Sequence, residues 1–167
     1  MYDELTTGDI QKMREELDER RCKLRPELLE EVKRTRAFGD LSENFEYKEA
    51  KRAKNRNDSR IRYLENMIKT AKVISDASAE NEVGLFDLVE ILPDGAPQSK
   101  TVRIVTTLRT DPLQGIISKE SPVGRAIFGR KAGEQVHVEL GDGRGYGLTI
   151  VSITKSSDDG SIPIGSY

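Results

Sequence analysis

The chain has 167 residues, 34% of them charged, 5% aromatic and none of them tryptophan, with a net charge of -2. That length holds one domain or two small ones, and so charged a composition excludes a single large apolar core in favour of long solvated helices beside a modest second domain. One cysteine excludes an internal disulfide, no run approaches the ~18 apolar residues of a membrane span, and the acidic start MYDELTTGDI is unlike a signal peptide. A cytoplasmic protein is expected.

Taken in chain order, the first element is a helix. Thr6 and Asp9 have capping-box spacing and set its start near Thr7. Ile10, Met13, Leu17, Leu24, Leu28 and Val32 recur at steps of three, four or seven, which is a helical seam. Pro26 falls inside it, removes a backbone donor and predicts a kink. Gly39 ends the helix at the left-handed position that glycine takes without steric cost. A second seam, Tyr47, Ala50, Lys54, Asn57, Ile61, Leu64, Ile68 and Ala71, steps by three and four in strict alternation, a heptad pattern. Two seams joined by a short turn run antiparallel, and arms of roughly 28 residues make a rod on the order of 40 Å. Lys54 and Asn57 should weaken the seam while fixing its register.

Beyond Asp76 the texture changes. SDASAENEVG reads as a small polar linker, and the period then becomes two. Strands are expected at Leu85–Leu92, stopped by Pro93-Asp94-Gly95, then at Thr101–Val105 and Gly115–Ser118. Ser121-Pro122 opens a short helix that ends by Gly129. Val136, Val138 and Leu140 alternate with His137 and Glu139, Gly141-Asp142-Gly143 turns the chain, and Tyr146, Leu148, Ile150 and Ile153 complete the sheet. The expected fold class is α+β: a long N-terminal antiparallel α-helical coiled-coil hairpin, followed by a small antiparallel β-sheet domain with one short helix. The expected boundaries are 1–76 for the hairpin, 77–84 for the linker, 85–155 for the sheet domain and 156–167 for a loose polar tail. Cys22 and His137 each stand without the clustered partners that nucleophile or metal chemistry needs.

The hairpin turn carries two carboxylates, Asp40 and Glu43, and two readings fit them. Asp40 suits an N-cap, with Glu43 at the capping-box position. Alternatively, two carboxylates at the end of a rod can share a hard cation such as Mg²⁺, which takes only one or two protein carboxylates and keeps several waters, provided a partner supplies further ligands. Behind them lie Lys48, Lys51, Arg52, Lys54, Arg56, Arg60 and Arg62 against only Glu49 and Asp58. Such a run is either a solvated helix face or a surface that neutralises phosphates without reading sequence.

These same residues carry a resemblance. GDLSENFEY is similar to the tip signature of the bacterial Gre transcript-cleavage and elongation factors, and the similarity continues through KEAKR and upstream over REEL and RPELLEEVKRTRAFGD. It resumes at ISKESPVGRAIFGRKAGEQVHV, so that it covers Thr7 to about Lys155. The resemblance implies an FKBP-like C-terminal domain that grips the rim of bacterial RNA polymerase, and a hairpin that enters its secondary channel. It implies that Asp40 and Glu43 help hold the second Mg²⁺ of the polymerase active centre, with no cofactor of the factor's own. The polymerase then cuts the 3′ end of backtracked nascent RNA, and the factor is a stimulator, not a nuclease, with no small-molecule substrate and no membrane partner. It assigns Gly39, Asn44, Phe45, Glu46 and Tyr47 to shaping the tip. Lys48, Lys51, Arg52 and Arg56 would face RNA, and Ser121, Pro122 and Arg125 would contact polymerase.

One residue departs from the pattern: Phe45 stands where the family carries a small residue. It either packs with Leu41 and Phe38 in a local apolar cluster or alters a contact in the channel. The second possibility keeps an alternative open, a Gre-like regulator that occupies the channel and inhibits polymerase without promoting cleavage. A coiled-coil interaction module, and a proline isomerase argued from fold alone, are the remaining readings.

Overall fold

The computed structural model describes residues 3–39 and 43–166, which form two compact units: residues 10–71, and residues 3–9 together with those from 72 onward. Helix α1 (Thr7–Glu19), whose first three residues belong to the second unit, leads in the first unit into a π-helical turn (Arg20–Leu24), then α2 (Arg25–Arg36), and α3 (Phe45–Thr70) returns. Contacts across the seam pair Glu16 with Arg60, Arg20 with Asn57 and Thr35 with Asn44. Numbers rise on one arm as they fall on the other, so the arms are antiparallel. Met13, Leu17, Ala50, Ile61 and Leu64 are buried along the seam, as the spacing predicts, while Met67 is buried where Ile68 is expected and Ile68 is only half-buried.

The capping box forms as read. Thr6 donates its N–H to Asp9 Oδ2 at 2.9 Å, and Asp9 donates its own to Thr6 Oγ1 at 3.2 Å. The Pro26 disturbance takes the form of the π-turn. Proline has no N–H for the carbonyl four residues back, and one position earlier Arg25 donates five residues back, to the Arg20 carbonyl. Asn57 Nδ2 also donates to that carbonyl at 3.3 Å, and Asn57 Oδ1 accepts from Arg20 Nη1 at 3.0 Å.

In the second unit β1 (Glu4–Leu5) and β2 (Lys72–Val73) pair in parallel. The main sheet holds β3 (Leu88–Pro93), β4 (Lys100–Val105), β5 (Ile116–Ser118), β6 (Gln135–Gly141) and β7 (Arg144–Thr154), in the order β5-β4-β3-β7-β6. A short helix α4 (Pro122–Ile127) precedes β6. Val89, Ile91, Val102, Ile104, Val138, Leu148 and Ile150 alternate inward and build the core with Val83, Phe86 and Ile127.

Three details differ from the sequence expectation. The sheet is not wholly antiparallel: β4 and β5 pair in parallel, because the two 3₁₀ turns at Thr107–Arg109 and Pro112–Gln114 carry the chain back before β5 begins. The first strand starts at Leu88, not Leu85, because Phe86 takes the left-handed backbone at φ 68°, which no strand accommodates. The tail is not loose. Ile162 is buried, Gly165 donates to the Leu108 carbonyl at 2.7 Å, and Asp158 meets a buried guanidinium.

That guanidinium belongs to Arg109, whose side chain is fully buried. Its Nε donates to Asp9 Oδ1 at 2.5 Å, and its Nη1 and Nη2 grip the two Asp158 oxygens at 2.9 and 2.5 Å. Nη1 also reaches the Ile162 carbonyl, and the Phe86 ring lies 5.2 Å away. Burial opposes the charge, but the hydrogen bonds to Asp158 and Asp9 outweigh it and raise the Arg109 pKa above its ordinary value.

Candidate functional site

Among the described residues of the hairpin turn, one amide ties the two arms together. Ala37, Phe38 and Gly39 unwind from α2 through N–H bonds to Lys33, Thr35 and Arg36 carbonyls, and Gly39 sits at φ 110°. Asn44 then caps α3: its Oδ1 accepts from the Tyr47 N–H at 3.1 Å. Its Nδ2 donates to the Gly39 carbonyl at 2.7 Å and to the Thr35 carbonyl at 3.0 Å. One side chain thus satisfies an N–H of the helix start and the Gly39 carbonyl, and adds a second bond to the Thr35 carbonyl that already accepts from Phe38. Thr35 is buried beneath it, its hydroxyl bonded to the Glu31 carbonyl at 2.8 Å.

This geometry overturns the capping reading of the carboxylates. The helix starts at Phe45 with Asn44 as its cap, so neither Asp40 nor Glu43 holds that position. Glu43 lies in the turn ahead of the helix, exposed, and no described side chain engages its carboxylate. Asp40, the other candidate metal and catalytic residue, lies outside the described residues, as does Leu41.

Around the turn, Arg34, Phe38, Glu43, Asn44, Phe45 and Glu46 line one shallow depression. Phe45 is 71% exposed and Phe38 60% exposed, and the Leu41 that the local-cluster reading of Phe45 calls on lies outside the described residues. Each ring has a cation beside it: Lys48 Nζ lies 5.7 Å from the Phe45 centroid and Arg34 Cζ 5.6 Å from that of Phe38. Arg34 is held by two bonds to Glu31, at 3.0 and 2.6 Å, which keep the Glu31 carboxyl below the usual range.

The basic run divides. Lys51 and Arg56 are exposed. Arg52 pairs with Glu49 at 2.7 Å, Lys54 with Asp58 at 3.2 Å, and Arg62 donates to Ser59 at 3.2 Å. Arg60 turns inward and is no part of a phosphate-facing surface. It forks onto Glu16 at 2.8 and 3.1 Å, and Arg20 adds a third bond at 2.7 Å. Burial pushes the Glu16 carboxyl up, but these bonds from Arg60 and Arg20 more than offset it and hold the pKa below the ordinary value. This polar layer, with Asn57, escaped the sequence reading except for Asn57 itself; the heptad position of an arginine does not reveal a carboxylate on the other arm.

In the sheet unit Ser121 is occupied structurally. Its Oγ accepts from the Gly124 N–H at 3.1 Å and donates to the Ser118 carbonyl at 2.6 Å. A Cβ on Gly124 would come within 2.1 Å of that same carbonyl oxygen, so only glycine fits there. Pro122 and Arg125 are exposed and border a cleft with Ala126, Arg130, Val136 and His137.

Among the described residues no three His, Cys, Asp or Glu side chains gather at metal-binding distance, and no helix is long and apolar enough to cross a membrane. The carboxylate oxygen that Glu43 offers is a hard donor, which suits Mg²⁺ and its habit of taking few protein ligands.

Fold and turn together define a helical-hairpin factor with an exposed carboxylate ahead of its returning helix. Family models described as "Transcription elongation factor, N-terminal" and "Transcription elongation factor, GreA/GreB, C-term" match residues 4–73 and 78–155. Transcription elongation factor GreA of Bacillus velezensis is 42% identical, and that of Bacillus subtilis 39%, each over 92% of this chain and 95% of the relative. The chain belongs to the GreA/GreB family of transcription elongation factors, and its relatives at this identity are of the GreA type. Among solved structures, a GreA factor homolog 1 (Gfh1) of Thermus thermophilus matches at TM-score 0.44 and 22% identity, covering 93% of this chain and 100% of that one.

Proposed function

We propose that this protein binds bacterial RNA polymerase, inserts its hairpin into the secondary channel and stimulates the polymerase's own cleavage of the 3′ end of backtracked nascent RNA. Asp40 and Glu43 would hold a Mg²⁺ shared with the polymerase active centre, supplying the second metal of a two-metal hydrolysis. The sheet unit would grip the polymerase rim through the exposed Pro122 and Arg125, while Lys51 and Arg56 face the RNA. The observation that carries the reading is the Asn44 cap. Because Asn44 bonds to the helix start and both facing carbonyls, the Glu43 carboxylate has no structural duty among the described residues.

The test is a cleavage assay on a backtracked elongation complex. Wild-type factor shortens the RNA from its 3′ end. Asp40→Ala with Glu43→Ala abolishes shortening while binding to core polymerase and helicity persist. Normal cleavage by the double variant would refute the metal-sharing role.

The exposure of Phe45 favours a second reading, a factor that occupies the channel and inhibits elongation without promoting cleavage. It predicts slowed elongation and no RNA shortening by wild type, with relief on Phe45→Ala.

A further inference from the structure

We infer that Phe45 and Phe38 form a stacking platform for an unpaired nucleobase of the RNA 3′ segment, an inference that rests on the proposed cleavage function and assigns its RNA contact. Both rings border one depression, and both are far more exposed than aromatic side chains without a partner usually are. Phe45 follows the Asn44 cap directly, so its backbone is fixed by the first turn of α3 while its ring projects into solvent. Exposed aromatic faces flanked by cations are how proteins hold single-stranded nucleic acid, because every base offers a π-face and the cations take the phosphates.

The charge arrangement fits that occupant. Lys48 lies beside the Phe45 ring and Arg34 beside the Phe38 ring. Exposed Lys51 and Arg56 continue the positive edge along α3. Glu43 and Glu46, on the same depression, repel phosphate and so confine the backbone to the cationic edge, leaving the base to meet the rings. A stacked base at this place lies beside Glu43, the carboxylate assigned to the shared metal. The rings would therefore position the RNA strand, not touch the reacting bond.

The chain contains no tryptophan, so Phe45→Trp introduces a single fluorescent reporter. In the full-length factor its emission should be quenched by short oligo(rA) and oligo(rU), in a salt-dependent manner. In the cleavage assay Phe45→Ala should raise the factor concentration for half-maximal cleavage about tenfold, as loss of one base stack does. The maximal rate should hold, and Phe45→Tyr should restore the wild-type value. Phe38→Ala should act in the same direction. Because the side chains are exposed, circular dichroism of the variants should match wild type.

No quenching, together with wild-type half-saturation for Phe45→Ala, would overturn the inference. So would an equal loss of affinity for core polymerase lacking any transcript, which would place the rings against protein. Quenching by RNA with a wild-type factor that fails to cleave would sustain the stacking and sink the cleavage reading alone.

Discussion

Each unit of this protein holds an arginine against carboxylates, and the two are solvated differently. Arg109 and Asp9 are both fully buried, with Asp158 at 15% exposure. Arg60 is 8% exposed and its partner Glu16 23%, at the side of a two-helix seam that water reaches. The hydrogen-bonding recipe is the same: a guanidinium fork, a second donor or acceptor, and an aromatic ring close by, Phe86 for Arg109 and Tyr63 for Arg60. The dielectric is not. A two-helix hairpin cannot enclose a charge on all sides, whereas a sheet with a folded-back chain segment can. The hairpin thus uses its ion pair to fix register, while in the sheet unit the pairing and hydrogen bonding of every buried charge is a condition of folding.

The sharpest way to break this contrast is Asp9→Ala. It leaves two buried donors, the Arg109 Nε and the Thr6 N–H, without their acceptor and should cost about 3–5 kcal/mol, read from hydrogen exchange of the β3 and β7 amides. If it cost no more than the matching change at Glu16, the contrast would fail.

Glu16→Gln should cost less, about 1–2 kcal/mol in urea unfolding of the hairpin, since water shares in solvating Arg60. Its pH dependence sharpens the point. The folded Glu16 pKa lies below its unfolded value. The stabilisation is therefore complete above the ordinary glutamate range near ~4.3 and is lost as pH falls through the lower folded value. Acid unfolding of the hairpin should lose part of its steepness in Glu16→Gln, and an unchanged acid profile would count against the role given to Glu16.

The smallest effect is expected from Asn57→Leu. The Arg20 carbonyl keeps its bond from the Arg25 N–H, so an apolar side chain should change stability by under about 1 kcal/mol, in the stabilising direction. The cost should appear as lost register: disulfide trapping between cysteines placed on opposite arms should capture shifted pairings that the wild type does not populate.

Local pattern was enough for much of this fold. The heptad steps from Tyr47 to Ala71 place the seam because burial on a helix follows a fixed angular period, and Thr6 with Asp9 caps α1 because both partners lie within one turn. The proline at 26 announced a disturbance, though not that it would be absorbed upstream as a π-turn. What stayed hidden was non-local. Asp40 and Asn44 are both good caps, and the choice falls to Asn44 because its amide also reaches Thr35, nine residues away on the other arm. Arg109 lies 100 residues from Asp9 and 49 from Asp158, so no spacing rule joins them. For the same reason the segment after Lys155 reads as a solvated tail: its charges are visible in the sequence, while the buried cation they neutralise is not. At the candidate site the sequence located the turn and the Glu43 ahead of its returning helix, and the fold was needed to show that Glu43 is not a cap and that Phe45 faces outward.

The π-turn at Arg20–Leu24 has a rotational consequence. An α-helix advances about 100° for each residue, and one π-turn takes in an extra residue without lengthening the ladder of bonds by a full step. Everything from Arg25 to Gly39 is therefore dialled round the helix axis by about that angle, relative to an uninterrupted helix. The bearing on which Phe38 and Gly39 meet α3 was set a dozen or more residues earlier. Deleting the exposed Cys22 would turn the far end of the arm like a key, altering which side of the hairpin the turn presents without touching one residue of the turn itself.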